Sequence, residues 1–371
     1  MAARVKDIVK IMEEFFPLFL AESWDNSGLQ LGSAGREVER AVVALDLDES
    51  IVELAVNSKA GLIITHHPLF FNALKKIDFG TPQGRLTKQL IQADISVYSA
   101  HTNLDAAEKG LNQHLAELLG LKDIKPLDKN KQEDLFKLVV FVPNSHVESV
   151  RQALAQAGAG YLGAYSDCSF RTPGTGAFRP QAGSNPFIGT AGQLEEVEEY
   201  RLETVVYRRD LNRVLQVMKQ AHPYEEVAYD LFHMVNEGKV FSLGRKGRWD
   251  KEMDLKECAE EVKRKLGLES VRVVGDLKQK IRKVAVVSGA GASFMNKAIR
   301  QNIDLMITGD LKYHEAQDAL AQGLCVIDAG HQGTEEIMVP YLCRLLEKET
   351  QAKGYQIDFI PAFIEACFKT L

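Results

Sequence analysis

Gly61-Leu62-Ile63-Ile64-Thr65-His66-His67-Pro68 decides the fold. Its apolar residues do not alternate with polar ones, and the run ends on two histidines and a proline. A short continuous apolar run closed by a turn signal predicts a strand buried on both faces, as in a parallel sheet. In α/β sheets, ligands gather outside the carboxyl ends of the strands. His66 and His67 therefore stand where chemistry is expected, and two imidazoles suit a first-row transition metal. Neighbouring strand residues point to opposite faces, but a turn at Pro68 brings both rings toward one site, where the pair can straddle two metals. The alternative is a surface turn that happens to hold two histidines.

Outward from this strand the same pattern repeats. Helical periodicity covers residues 5–16, 48–58, 84–93 and 107–119, and buried-strand runs cover 42–45 and 95–99. Near the other end, strands at 284–287, 305–308 and 325–327 alternate with helices at 292–301, 313–322 and 334–348. Strands alternating with helices predict βαβ units. The two segments also match each other. Gly61 to His67 aligns with Asp304 to Asp310, and Val97 to Thr102 with Val326 to His331. The expectation is a pair of related α/β halves with one site between them.

The middle reads differently. Strands are predicted at 137–142, 201–207 and 228–232 and helices at 145–157 and 211–221, around a Gly/Pro/Ser-rich stretch at 171–192. This suits the ferredoxin-like β-α-β-β-α-β order. The charged flanks, 122–132 and 236–248, read as linkers. The predicted organisation is a first half over 1–128, an inserted α+β domain over 129–244 and a second half over 245–371.

Composition narrows the function classes. A chain of 371 residues with 45% hydrophobic and 26% charged residues is an ordinary globular protein. A net charge of −6 and a pI near 5.9 argue against nucleic-acid binding by bulk electrostatics. No apolar run reaches the length of a membrane helix. Cys168, Cys258, Cys325, Cys343 and Cys367 form no CxxC pair and read as reduced thiols of a cytoplasmic protein. A metal site would then be built from nitrogen and oxygen ligands.

Two further motifs supply such ligands. His101-Thr102-Asn103-Leu104-Asp105 follows a strand and enters a helix. Asp105 is a candidate carboxylate ligand, or a helix N-cap. His101 is read as a non-ligand, either supporting a neighbouring ligand or simply a satisfied buried histidine. His331 and Glu335 are spaced i, i+4, so a helix puts them one turn apart on one face; the alternative is an ordinary helix start with an acidic first turn. Three histidines and two carboxylates, His66, His67, Asp105, His331 and Glu335, are what two divalent metal ions need, with positions left for water. Zinc, iron or manganese fits that donor set, and such a pair can activate water for hydrolysis.

Four other features invite weaker readings. His314 follows Thr308-Gly309-Asp310 and is a candidate proton donor, or simply a helix residue with a local bond. Trp24-Asp25-Asn26-Ser27-Gly28 either lines a pocket or makes a turn. Ser288-Gly289-Ala290-Gly291-Ala292-Ser293-Phe294 imitates a dinucleotide fingerprint, but Phe294 replaces its third glycine, so a tight turn is preferred; its backbone N–H groups remain available to a phosphate. His222-Pro223-Tyr224-Glu225-Glu226 invites a second metal site, but a turn leading into a strand is preferred, with an oligomer contact as a secondary role.

Together, His66-His67-Pro68, His101-Thr102-Asn103-x-Asp105, Thr308-Gly309-Asp310-x-x-Tyr313-His314 and Gly330-His331-x-x-Thr334-Glu335 resemble the dinuclear-metal family of GTP cyclohydrolase 1 type 2-like, or Nif-three-like, proteins. The resemblance covers both outer segments, and the middle is similar to the PII/CutA-like insert of longer bacterial members. It implies a duplicated α/β fold, a homohexameric ring and two metals per subunit. His66 and His67 would bind different metals, Asp105 and His331 would each complete one, and Glu335 would bridge both. The implied activity is metal-dependent opening of the guanine imidazole ring of GTP, giving formate, with His314 moving protons. The alternatives are a hexameric metal-binding regulatory or scaffold protein with a PII-like sensor insert, or a metal-dependent phosphoester hydrolase.

Overall fold

The computed structural model describes residues 1–72 and 74–369. It divides into two compact units, residues 1–131 with 241–371, and residues 132–240.

In the first unit, strands Arg40–Ala44, Leu62–Thr65 and Ser96–Ser99 are parallel neighbours at the centre of a five-stranded sheet. Their unbroken apolar runs have a direct cause. Alternate residues enter different cores: Val43, Leu62, Ile64 and Tyr98 on one face, Val42, Ala44, Ile63 and Val97 on the other. All are essentially without solvent exposure, and full burial of an Ile or Val is worth about 1.5–3 kcal/mol. Helix Glu49–Asn57 starts where Asp48 accepts a bond from the Ile51 N–H at 2.9 Å.

A six-stranded sheet repeats the arrangement. Strands Lys280–Ala290, Leu305–Gly309 and Cys325–Asp328 are parallel neighbours. Val284, Val286, Leu305 and Ile307 enter one core, while Ala285, Val287 and Met306 enter another. Each sheet also has an antiparallel strand that precedes the parallel three in sequence and pairs with the third of them: Gly28–Leu31 with Ser96–Ser99, and Arg272–Val274 with Cys325–Asp328. Helices Val5–Phe15 and Leu255–Leu266 precede these in turn.

The predicted linkers are partly sheet. Lys122–Pro126 and Arg245–Asp254 pair with each other, and Arg245–Asp254 pairs with Lys280–Ala290. Lys122–Pro126 is the sheet edge and Arg245–Asp254 lies next to it; their charged side chains hid them, because an antiparallel strand needs apolar residues only on its inner face.

The second unit runs strand Leu135–Pro143, helix Val147–Gln156, strands Ser169–Phe178 and Glu195–Tyr207, helix Leu211–Ala221 and strand Tyr229–Met234. Its sheet is antiparallel, with Glu195–Tyr207 and Leu135–Pro143 in the middle. Strand Ser169–Phe178 runs through the Gly/Pro-rich stretch and contains Pro173. It is an edge strand, where a residue without an N–H is tolerated. Among the described residues no helix is long and apolar enough to cross a membrane.

Candidate metal centre

The carboxyl ends of the parallel strands supply the site. Asp46 follows Arg40–Ala44, His66 and His67 follow Leu62–Thr65, and His101 and Asp105 follow Ser96–Ser99. From the other sheet, Asp310 follows Leu305–Gly309, and His331 and Glu335 follow Cys325–Asp328. Residues His331–Glu335 form one short helix, so the i, i+4 pair does share a face.

All five predicted ligands come together. His67 Nε2 and His331 Nε2 lie 3.1 and 3.0 Å from Glu335 Oε2. His66 Nε2 lies 3.8 Å from Glu335 Oε1 and 3.7 Å from Asp105 Oδ1. Asp105 sits inside the short helix Thr102–Ala106, not at its N-cap, and accepts a bond from Ser288 Oγ at 3.3 Å. His66, Asp105 and Glu335 are buried.

The outer ring nitrogens explain why the inner ones converge. His66 Nδ1 donates to the Ala100 carbonyl at 2.8 Å, His67 Nδ1 to Asp46 Oδ1 at 2.7 Å and His331 Nδ1 to Asp310 Oδ2 at 2.7 Å. Carbonyl and carboxylate oxygens only accept, so each Nδ1 carries a proton, and Nε2 is the ring atom left pointing inward to hold either a second proton or a metal ion. Carboxylate or carbonyl partners behind ligating histidines are the usual supports of a metal site. Asp310 adopts a left-handed backbone conformation, φ 55°, to reach His331; Asp is among the few residues that tolerate it.

Inward ring nitrogens facing carboxylate oxygens need positive charge between them, as protons or as a metal ion. Glu335 Oε2 and His66 Nε2 are buried without a hydrogen-bond partner, an arrangement costly for a purely structural cluster. The surroundings hold positive charge strongly. The Glu335 carboxylate, helped by Asp310, pushes His331 up to about 9. Burial favours neutral His67, yet Asp46 and Glu335 push it up to about 10. Burial likewise opposes the charge on Glu335, and the facing histidines hold it well below the usual carboxylate range. A divalent cation with nitrogen and oxygen ligands satisfies the same donors, so these residues fit a metal. His67, His331 and Glu335 form one group of donor atoms close enough to share an ion, and His66, His67 and His101 form another.

The sequence pattern assigns His101 only a supporting role. Its ring lies 5.1 Å from His66 and 5.6 Å from His67, centroid to centroid, and its Nδ1 donates to Asp25 Oδ1 at 2.8 Å. Asp25, in the polar loop, also accepts from the Thr102 N–H and hydroxyl at 3.0 and 2.5 Å. Burial raises its pKa, but these bonds outweigh burial and hold it far below the usual carboxylate range. Asp46 had no sequence signal beyond following a strand.

His314 is exposed, with Nδ1 3.2 Å from Gln317 Oε1, and makes no hydrogen bond to the five. The glycine-rich turn at 288–294 has another use. The N–H groups of Ser288, Gly289 and Gly291 donate to Asn112, Thr334 and Thr308 side chains. These three are therefore engaged within the protein, and Gly289 forms a wall of the site: a Cβ there would lie 2.3 Å from Glu335 Oε1. His222 is a turn residue, its Nε2 bonded to the Phe141 carbonyl at 2.9 Å and its Nδ1 accepting from the Tyr224 N–H at 3.1 Å.

Comparison with known proteins fits this picture. The family model described as Duf34/NIF3 (NGG1p interacting factor 3) matches residues 3–365. Proteins named GTP cyclohydrolase 1 type 2 homolog are 42% identical in Halalkalibacterium halodurans, over 98% of this chain and 97% of that one, and 42% identical in Bacillus subtilis, over 95% and 94%. The crystal structure of a Bacillus cereus protein related to NIF3 superimposes with a TM-score of 0.94 at 40% identity, covering all of both chains.

Proposed function

Because this chain belongs to the Duf34/NIF3 family, we propose that it is a dinuclear-metal-dependent hydrolase of the GTP cyclohydrolase 1 type 2 kind, which opens the imidazole ring of a guanine nucleotide. One observation carries the reading: the inward Nε2 atoms of His66, His67 and His331 converge on the buried carboxylates of Asp105 and Glu335. His66 and His67 would hold different metals, Asp105 and His331 would complete one each, and Glu335 would bridge them. Zinc, iron or manganese there would supply the Lewis acidity that brings a water's pKa toward neutrality.

The chain's own residues do the rest. Asp46, Asp310 and the Ala100 carbonyl fix the tautomer of the ligating rings, so no reorientation is needed during turnover. His101, held by Asp25, keeps Nε2 free to take or give a proton at the edge of the cluster. His314, exposed on helix Tyr313–Ala321, would exchange that proton with solvent. The two matched sheets support an origin by duplication. The β-α-β-β-α-β order of residues 132–240 supports a PII/CutA-like insert, and the family resemblance supports a homohexamer.

The test is formate release from GTP by metal-loaded protein beside an active cyclohydrolase control. Release that disappears with a chelator and returns with metal supports the reading. Absence of formate across zinc, iron and manganese overturns the substrate assignment.

A further inference from the structure

Trp24 and Phe71 are large rings left 56% and 49% exposed. They are neighbours, with centroids 5.7 Å apart and planes tilted by 37°. Both meet His101 edge-on, at 5.9 and 6.3 Å, and His101 borders the metal-ligand cluster. Two exposed aromatic rings therefore stand beside the site.

Their placement is built, not incidental. Asn26 Nδ2 donates to the Phe70 carbonyl at 2.5 Å and to Gln30 Oε1 at 3.2 Å. Gln30 Oε1 accepts from the Phe70 N–H at 3.3 Å, and Gln30 Nε2 donates to the Asn26 carbonyl at 2.5 Å. Two amide side chains thus tie the loop carrying Trp24 to the one carrying Phe71. Asp25, with no exposed side-chain surface, anchors the first loop to His101 and Thr102.

From this arrangement we infer that Trp24 and Phe71 form a stacking platform that positions the planar heteroaromatic ring of the substrate beside the metal cluster. The inference rests on the reading of the site as acting on a purine nucleotide. Base–aromatic stacking asks only for an exposed π-face held rigidly, and the shared contact with His101 makes the platform contiguous with the site. No ring is inserted between Trp24 and Phe71, because they already touch; the substrate lies across their outer faces.

The molecule carries its own probe. Its other tryptophan, Trp249, is buried with Nε1 bonded to the Leu119 carbonyl at 2.9 Å, so emission that responds to ligand reports Trp24. The experiment titrates full-length, metal-loaded protein with GTP, guanosine and inorganic triphosphate, read by tryptophan emission and calorimetry. Metal content, circular dichroism and oligomeric state are measured for Trp24→Phe, Trp24→Ala and Phe71→Leu. GTP and guanosine should quench emission, and base-free triphosphate should not. Trp24→Phe should lose the signal yet keep affinity within a few-fold, while Trp24→Ala and Phe71→Leu weaken GTP binding about tenfold or more with metal content unchanged.

Wild-type affinity in folded Trp24→Ala overturns the inference, as does GTP binding without quenching, or no purine binding at all. A change of oligomeric state without loss of affinity overturns it too, since the rings would then belong to an interface. Quenching by GTP without formate release leaves the platform standing and removes the cyclohydrolase reading. Unaltered formate release and GTP affinity in Trp24→Ala does the reverse.

Discussion

Nε2 of His67 and Nε2 of His331 lie 3.3 Å apart, although 264 residues separate them. One follows a strand of the five-stranded sheet and the other a strand of the six-stranded sheet, and Glu335 Oε2 lies within about the same distance of both. A carboxylate oxygen shared in this way is the point at which the two sheets have a common chemistry, and it ranks the substitutions.

Glu335→Ala removes the shared oxygens. Elemental analysis should find close to two metals per subunit in the reconstituted wild type and sharply fewer in the variant. Equal metal content in both would remove the bridging role.

Asp46→Asn and Asp310→Asn keep the side chain's size but no longer accept as carboxylates behind His67 and His331. Metal affinity should fall by about 10–100-fold in each, with stoichiometry restored at saturating metal. Competition against a chromogenic chelator measures this, and unchanged affinity would mean that those rings are oriented by packing alone.

Gly309→Ala tests the approach of the two loops. A Cβ at position 309 would sit 2.6 Å from the Gly330 carbonyl carbon and the His331 nitrogen, which are backbone atoms. The His331 loop must move, at a cost of about 1–3 kcal/mol. Thermal denaturation should show the loss, and metal content should fall with it; a variant with wild-type values would mean that the loop yields freely.

Asp25→Asn gives a pH-dependent effect. Asp25 accepts charge-assisted bonds from His101 and Thr102, each worth about 1.5–3 kcal/mol. Its folded pKa lies below the unfolded value of about 3.9. The stabilisation is therefore complete above that value and is lost as pH falls through the folded one. Denaturant melts should show the variant less stable at pH 7 and the gap narrowing below about pH 4; a gap independent of pH would remove the carboxylate's charge as the cause.

Deleting residues 132–240 separates catalysis from control. The Asn130 N–H donates to the Phe241 carbonyl at 3.2 Å, so the cut ends are already close and a short linker can join them. Each unit has its own buried cluster. The shortened chain should fold and keep its metals. Unchanged metal-dependent turnover would weaken a sensor role for the insert in catalytic control.

The amino-acid sequence by itself determined the buried strands and the polar residues at their carboxyl ends. Leu62–Thr65, Leu305–Gly309 and Cys325–Asp328 are legible because burial on both faces makes their leading residues a continuous apolar run, and polar residues directly after such a run stand out. His66 and His67 are legible on that signal, Asp105 from the motif that carries the next strand into a helix, and His331 and Glu335 from their i, i+4 spacing. The charged strands Lys122–Pro126 and Arg245–Asp254 and the Pro-containing edge strand Ser169–Phe178 are not, since an antiparallel strand needs apolar residues on one face only and an edge tolerates residues that interiors exclude. Only the tertiary structure decided that Asp46 and Asp310 stand behind His67 and His331, that Asp25 holds His101, and that Gly289 makes room for Glu335. Those partners come from loops far apart in the chain, and a lone Asp or Gly after a strand reads like any turn until the sheets fix its distance from its partner.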